Sequence, residues 1–464
     1  MRKTIYLALA LAFSAPMINS CRDESLDPTL QQSKDLATSI NTLEDLTAVL
    51  NAGYNRMSQA AYYGRDYIIF GEVRTDNAFS NANSNRFVTP AAMKMTPNDA
   101  YAADTWAQIY AVIGSANIAI NKDAATITEG TPAEINQIKG EALIMRALAH
   151  FDLVKLYGQQ HVNGGGMTAL GVPYVTTFRD PANLLPKRNT VQEVYTFALK
   201  DLNDALAIMS PTLNRNSHYF STHAADAIKA RMALYFKDYK LAEESALKVI
   251  ESGKYKVATA SAFPATFNTD NTSNQIFSIA ASETDNMGIN GLANIYQKSS
   301  YGDVAALKDI FDQFAEGDVR KTMITNDGKF YRNSGKYPSR DPYKDDIPVI
   351  RYEEVVLTYA EALFRNGKTA EALVYLNMIP ANRGAALYTE ATLSNILLER
   401  RKELAFEGFR FDDLARTGRD IPKVDISQTF GPTSVPYGSY NYAFPIPNTE
   451  RGANSNVEQN NGYQ

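Results

Sequence analysis

The chain has 464 residues, 45% of them hydrophobic and 11% aromatic, enough for a substantial core. A formal net charge of −5 at pH 7 excludes the basic footprint of a nucleic-acid binder. A single cysteine excludes an internal disulfide framework, and length alone admits roughly one to three domains.

The N-terminus reads as an export signal. Arg2 and Lys3 precede an apolar run from Ile5 to Ala15, which suits a secretory signal and is too short to span a bilayer. The lone cysteine follows in Ile18-Asn19-Ser20-Cys21. This resembles the lipobox of bacterial lipoproteins, in which the cysteine becomes the first residue and carries acyl chains. Two or more chains make such an anchor stable. The expectation is a signal peptide over 1–20 and lipidation at Cys21; an ordinary signal peptide with an incidental cysteine is the alternative. The acidic run Arg22-Asp23-Glu24-Ser25-Leu26-Asp27 resembles the export signal of Bacteroidetes surface lipoproteins, and otherwise reads as a solvated linker. Residues 21–41 are expected to form a flexible tether. No later apolar run approaches the roughly 20 residues of a membrane span.

Helix signals then follow one another. Thr42-x-x-Asp45 caps a segment from Leu43 to Ala60. Asp104 to Lys122 carries Trp106, Tyr110, Ile113, Asn117 and Ile120 on one helical face. Thr131-Pro132-Ala133-Glu134 combines an N-cap, a first-turn proline and a capping-box glutamate, and opens a helix to Tyr157. Two apolar stripes on that helix predict burial between neighbours. Thr190-x-x-Glu193 caps another helix, to Ile208. Residues 158–187, 255–350 and 418–464 lack such periodicity and predict long loops with a few short strands, such as Ile276–Ala280. Loops of this length usually carry function.

Leu234–Glu243 aligns without gaps on Ala362–Glu371. Each reads as helix, polar turn and second helix, the tetratricopeptide pattern. Such units stack because none can bury its apolar face alone.

Seven motifs in order carry a wider likeness: Trp106-x-x-Ile109-Tyr110 with Asn117; Gly140-Glu141-Ala142 with Arg146, Phe151 and Tyr157-Gly158; Arg188-x-Thr190-x-x-Glu193; Tyr359-Ala360-Glu361-Ala362; Glu399-Arg400-Arg401-x-Glu403 with Glu407-Gly408-x-Arg410-x-Asp412-Asp413; Phe444-Pro445-Ile446-Pro447; and Gln459 to Tyr463. Their order and spacing resemble the SusD/RagB family of outer-membrane nutrient-binding lipoproteins. The resemblance implies a mainly α fold: a tetratricopeptide-like helix-pair scaffold, or α-α superhelix, with irregular segments laid on one face. The scaffold is expected over 42–255 and 350–416, within one domain spanning 42–464. Loop-rich segments 60–100, 255–350 and 418–464 would face ligand and partner. The resemblance further implies a lipid-anchored protein on the outward face of the outer membrane. Such a protein captures an oligosaccharide, or in some members a peptide, and delivers it to a SusC-like TonB-dependent transporter. No bond-making chemistry and no nucleic-acid partner are implied.

The same residues bear on other chemistry. Glu399, Glu403 and Glu407 are expected to share a helix face. Paired carboxylates are what a glycoside hydrolase needs, but each acid here has Arg or Lys nearby, and ion pairs between helices are the better reading. A membrane-tethered hydrolase and a scaffold subunit that binds no nutrient remain as alternatives. Asn117 reads as a hydrogen-bonded core residue. Asn366-Gly367-Lys368-Thr369 lacks the first glycine of a phosphate loop. The four histidines form no helical metal pattern, and no cofactor is expected. A structural calcium ion on Asn268–Asn274 stays open, although no glycine-centred calcium loop is present.

Carbohydrate sites place aromatic rings beside amide, carboxylate and guanidinium groups. Three segments offer that mixture, and the family resemblance favours the first. The candidate ligand contacts are Tyr62, Tyr63, Asp76, Asn77, Asn83, Arg86 and Phe87 from the first, Tyr296 from the second, and Tyr331 and Tyr337 from the third. Trp106, the only tryptophan, reads as core, so any stacking surface must be built of Tyr and Phe.

Overall fold

The computed structural model describes residues 39–464; the expected signal peptide, Cys21 and most of the expected tether lie outside the described residues. The scaffold is a succession of helices: α1 (Leu43–Met57), α2 (Asp66–Val73), α3 (Ala100–Asn121), α4 (Pro132–Tyr157), α5 (Val191–Ile208), α6 (Thr222–Tyr235), α7 (Tyr239–Glu251), α8 (Tyr352–Arg365), α9 (Thr369–Ala381), α10 (Leu393–Glu403) and α11 (Arg410–Arg416). Along the stack α1 packs on α3, α3 on α4, and so on to α7 on α8, with α9 and α10 both on α8.

The caps were legible. Full capping boxes close the N-termini of α1, α4 and α5 at Thr42/Asp45, Thr131/Glu134 and Thr190/Glu193. Two boundaries differ from expectation. α3 starts at Ala100 because the Asp99 side chain accepts from Tyr101 N. α1 stops at Met57 because the next residues turn back sharply: a Cβ at Gly64 would sit 2.1 Å from the Ser58 carbonyl oxygen. The doubly apolar helix α4 is buried almost continuously from Ile135 to Tyr157.

The repeat is real and its copies touch. Hairpins α6–α7 and α8–α9 share three-residue turns, 236–238 and 366–368, and α7 lies against α8. Ala233, Leu234, Ala242 and Ala362 meet in a small apolar cluster between them. The structural register pairs Ala242 with the buried Ala372, rather than with the exposed Ala370 of the gap-free alignment. Both hairpins bury one alanine in the first turn of their second helix, and the shared Ala-Glu pair drew the alignment two residues off. Asn366-Gly367-Lys368 is simply the α8–α9 turn, with Gly367 at φ +81°.

A loop layer covers the helices. One antiparallel sheet has the order β1 (Ala78–Ser80), β3 (Val304–Ala306), β5 (Tyr331–Asn333), β4 (Ile324–Asn326). Phe79 pairs with Ala305, Ala306 with Tyr331, and Thr325 with Arg332. β2 (Gln275–Ile279), the expected apolar strand, pairs antiparallel with β6 (Ile347–Arg351), which runs straight into α8. The C-terminal segment straps across the end of α4. Phe444 N donates to Leu156 O at 2.7 Å. The Arg188 guanidinium donates to carbonyls of Tyr157, Leu170, Gly171 and Glu458.

The dense acidic block forms ion pairs, and they are buried. α10 ends at Glu403, so Glu407 comes from the following turn and not from a shared helix face. Arg320 Nη1 lies 2.6 Å from Glu399, Arg383 Nη2 2.8 Å from Glu403, and Arg351 Nη2 2.8 Å from Glu407. Lys336 Nζ is 2.5 Å from Glu407. Burial pushes the Glu403 carboxyl up, but Arg383 and Arg351 outweigh it and hold the group far below the usual range. Trp106 is core, with Nε1–H donating to Glu450 at 3.1 Å. Asn117 is fully buried, donates to Val175 O and Thr177 O, and accepts from Arg146.

Candidate functional site

Seven of the ten candidate contacts are buried in the interior, which corrects the sequence reading. Tyr62 and Tyr63 lie under the surface, and their hydroxyls donate to Asp152 Oδ2 at 2.6 and 2.7 Å. Tyr67 donates to the other oxygen at 2.5 Å. Burial and the Asp152 carboxylate push all three phenols far above their usual range, so they stay protonated donors. Asp76 is buried in a two-point pair with Arg410, at 2.7 Å on each oxygen. Asn77 bridges Glu72 and Arg401. Phe87 is sealed beneath Arg65 and stacks on Tyr101 at 5.2 Å. Tyr296 is fully buried behind Tyr337, ring planes 7° apart.

The other three, and the buried Tyr337, separate. Tyr331 is half-buried on β5 and packs on Phe311 at 4.7 Å. Asn83 and Arg86 stand on a loop that clasps residues 300–303. Asn83 Nδ2 donates to Tyr301 O at 2.6 Å, and Ser84 N donates to Asp303 at 2.6 Å. The Arg86 guanidinium lies 3.8 Å from the Tyr301 ring centre and donates to Asn290 at 3.3 Å. Tyr337, 2% exposed, meets a groove only as part of its buried floor.

That groove runs between the end of α1 and the loop layer. Its narrow end, about 40 Å³, is lined by Gly64, Met287, Tyr337, Ser339, Tyr343 and Asp345. Its wider end, about 200 Å³, is lined by Asn51, Tyr54, Asn55, His218 and Tyr219. Ser58, Ile279, Ala280 and Asp285 border both, so the two ends adjoin. The segment 285–293 joins it to Asn290, and so to Arg86.

Interior bonds fix the groove's rings. Tyr54 OH donates to Glu141 at 2.8 Å and accepts from Phe220 N at 2.8 Å. Burial and Glu141 push the Tyr54 phenol far up, so it is a neutral donor. Arg215 donates to the same Glu141 oxygen at 2.6 Å and lies 3.3 Å from the Tyr219 ring centre. Tyr219 therefore sits on a cation held by a buried carboxylate. Ser339 N and Oγ both donate to Asp345, at 2.5 and 2.6 Å; burial nevertheless pushes the Asp345 carboxyl up. Rings, amides, hydroxyls and carboxylates alternate along the wall. Such a surface suits a ligand with apolar faces and many hydroxyls. Tyr54 and Tyr219 carried no sequence signal, because each stands among helix or turn residues that do not cluster along the chain.

Known proteins share this architecture. The sequence model of a family described as starch-binding and associating with the outer membrane matches residues 26–234, and that of the SusD family matches residues 296–463. A SusD-like protein, P38, of Formosa agariphila is 25% identical over 90% of this chain and 92% of its own. The starch-binding protein SusD of Bacteroides thetaiotaomicron is 35% identical over 29% of this chain and 25% of its own. A SusD superfamily protein of Bacteroides vulgatus superposes with a TM-score of 0.84 at 27% identity, covering 92% of this chain and all of that one. With both ends of the chain matched and the fold shared throughout, this protein belongs to the SusD/RagB family.

Proposed function

We propose that this protein is a cell-surface lipoprotein that captures an oligosaccharide and delivers it to a SusC-like TonB-dependent transporter. The observation that carries the reading is the groove of two adjoining cavities, in which the half-buried Tyr54, Tyr219 and Tyr343 stand among Asn, Ser and Asp side chains. Rings offer apolar faces to sugar C–H groups, and the polar groups fix the hydroxyls. The family supports a glycan over a peptide, since one matching family model and one relative are described as starch-binding. Acylated Cys21 would hold the chain at the outer membrane through the tether; no described helix is long and apolar enough to cross a membrane. The buried ion pairs of Glu399, Glu403 and Glu407 leave those carboxylates without the cleft that hydrolysis needs, which supports binding without turnover.

Calorimetry of the mature chain against panels of oligosaccharides and peptides tests this reading, together with an assay for released sugar. Saturable binding of one glycan class without product is expected. Peptide binding alone, or steady sugar release, would overturn it. Labelled palmitate entering the wild-type chain, and not the Cys21→Ala variant, tests the anchor.

A further inference from the structure

Beside the groove, three segments of chain bring together a histidine and two aspartates, one of them from the Asn268–Asn274 loop. His218 stands just before α6, Asp270 in the loop after α7, and Asp346 at the start of β6. One ligand-type atom from each lies within 4.8 Å of the other two. His218 Nε2 and Asp346 Oδ2 are already 2.6 Å apart.

We propose that His218, Asp270 and Asp346 form a binding site for a divalent transition-metal cation of the zinc class. The proposal is independent of which ligand the groove takes.

Charge is the first argument. Asp346 is 5% exposed, yet among the described residues neither it nor Asp270 pairs with lysine or arginine. Several other buried acids pair with arginine: Glu361 with Arg416, Asp413 with Arg400, Glu403 with Arg383. Asp345, next in line, adds a further carboxylate, and the neighbouring Lys344 reaches out to Glu283 at 3.5 Å. Asp346 has His218 and the Ala281 amide as partners, so a bound cation would take the place of the proton between His218 and Asp346 and would face Asp270 as well.

Geometry is the second. In a tetrahedral site with bonds of about 2.0–2.1 Å, ligand atoms stand roughly 3.3 Å apart. The His218–Asp346 pair need only open slightly. Asp270 is exposed, so its carboxylate is free to rotate inward. The other two ligands are held on framework. Asp346 Oδ1 accepts from Ala281 N at 3.0 Å, leaving Oδ2 for the ion. Ser278 N donates to Ser217 O, and Ser217 to Asn271 Oδ1, which binds the histidine turn to β2 and to the Asp270 loop.

Ligand type is the third. One imidazole with two carboxylates suits zinc and its first-row neighbours, whereas calcium takes six to eight oxygens. Three protein ligands leave a fourth position for water. Because Ala281 hangs on Asp346 and Ala280 borders the groove, an ion here would clamp the groove wall.

The test uses the mature chain stripped with a chelator and titrated calorimetrically with zinc, calcium and magnesium chlorides. One equivalent of zinc is expected to bind, with no saturable calcium or magnesium binding. Asp270→Asn should weaken zinc about 10-fold or more, and His218→Ala should abolish it. Cobalt(II) added in place of zinc should give visible d–d absorption in the wild type and not in His218→Ala. Asp270 is exposed, so its variant folds, and circular dichroism verifies this. Absence of zinc binding, zinc binding unchanged in both variants, or calcium bound in preference would overturn the proposal.

Discussion

Arg383 and Glu403 meet in the interior with both side chains fully buried, Nη2 lying 2.8 Å from Oε1. Glu403 also takes Arg351 at 3.1 Å and Arg320 at 3.2 Å, so one carboxylate ties together β6, α10 and the turns at 320 and 383. Removing one member of a buried pair leaves charge without compensation. Glu403→Gln should therefore lower stability by about 3–5 kcal/mol. Urea denaturation measures it; a loss within experimental error would show that the cluster contributes nothing net.

The same cluster sets an acid limb. Burial pushes Glu403 and Glu407 up, but the arginines, with Lys336 beside Glu407, hold both below the usual glutamate range. A carboxyl depressed by folding adds stability that is complete above its unfolded value, about 4.3. That stability is lost as pH falls from there through the folded values. Glu72, pushed up by burial, works in the opposite direction, so the comparison must be internal. The wild type should lose stability below about pH 5 more steeply than Glu403→Gln does. Parallel melting curves between pH 6 and 3 would contradict this.

Tyr62 belongs to the core and not to the ligand surface. Tyr62→Phe deletes one of three phenol bonds to Asp152. The expected cost is about 1.5–3 kcal/mol, because the acceptor is a charged group. Ligand affinity should stay within twofold. A large affinity loss at unchanged stability would return Tyr62 to the binding surface.

Gly71 and Gly408 explain a close crossing of α2 over the turn before α11. A Cβ on Gly71 would lie 2.1 Å from the Gly408 carbonyl oxygen, and Gly408 itself holds φ +87°. Backbone cannot yield as a side-chain end does. Gly71→Ala should cost about 1–3 kcal/mol or more by overpacking. A variant as stable as wild type would show that the two segments separate readily.

Much of the scaffold was legible. Capping boxes at Thr42, Thr131 and Thr190, and the stripe through Trp106, are local signals that survive into the fold. The ion-pair role of Glu399 to Glu407 was legible from alternating charge, although its depth was not. The site was less so. Tyr62 and Tyr63 resemble a binding platform in sequence because their partner, Asp152, lies 90 residues on, inside α4. Tyr54 and Tyr219 come from a helix and a turn that only folding brings together, whereas Tyr343 stands in the third aromatic segment. Single residues without periodicity carry no sequence signature. Asn83 and Arg86, drawn from loop composition, lie beside the groove's end and not inside it.

The most direct test of the account is a calorimetric comparison, on whichever oligosaccharide the wild type retains, of wild type, Tyr219→Ala and Tyr343→Ala. Loss of a ring from the groove should weaken binding by roughly 5- to 10-fold in each variant, with the fold intact by circular dichroism. Unchanged affinity in both variants, with binding lost instead in a Tyr331→Ala protein, would place the sugar outside the groove and contradict the account.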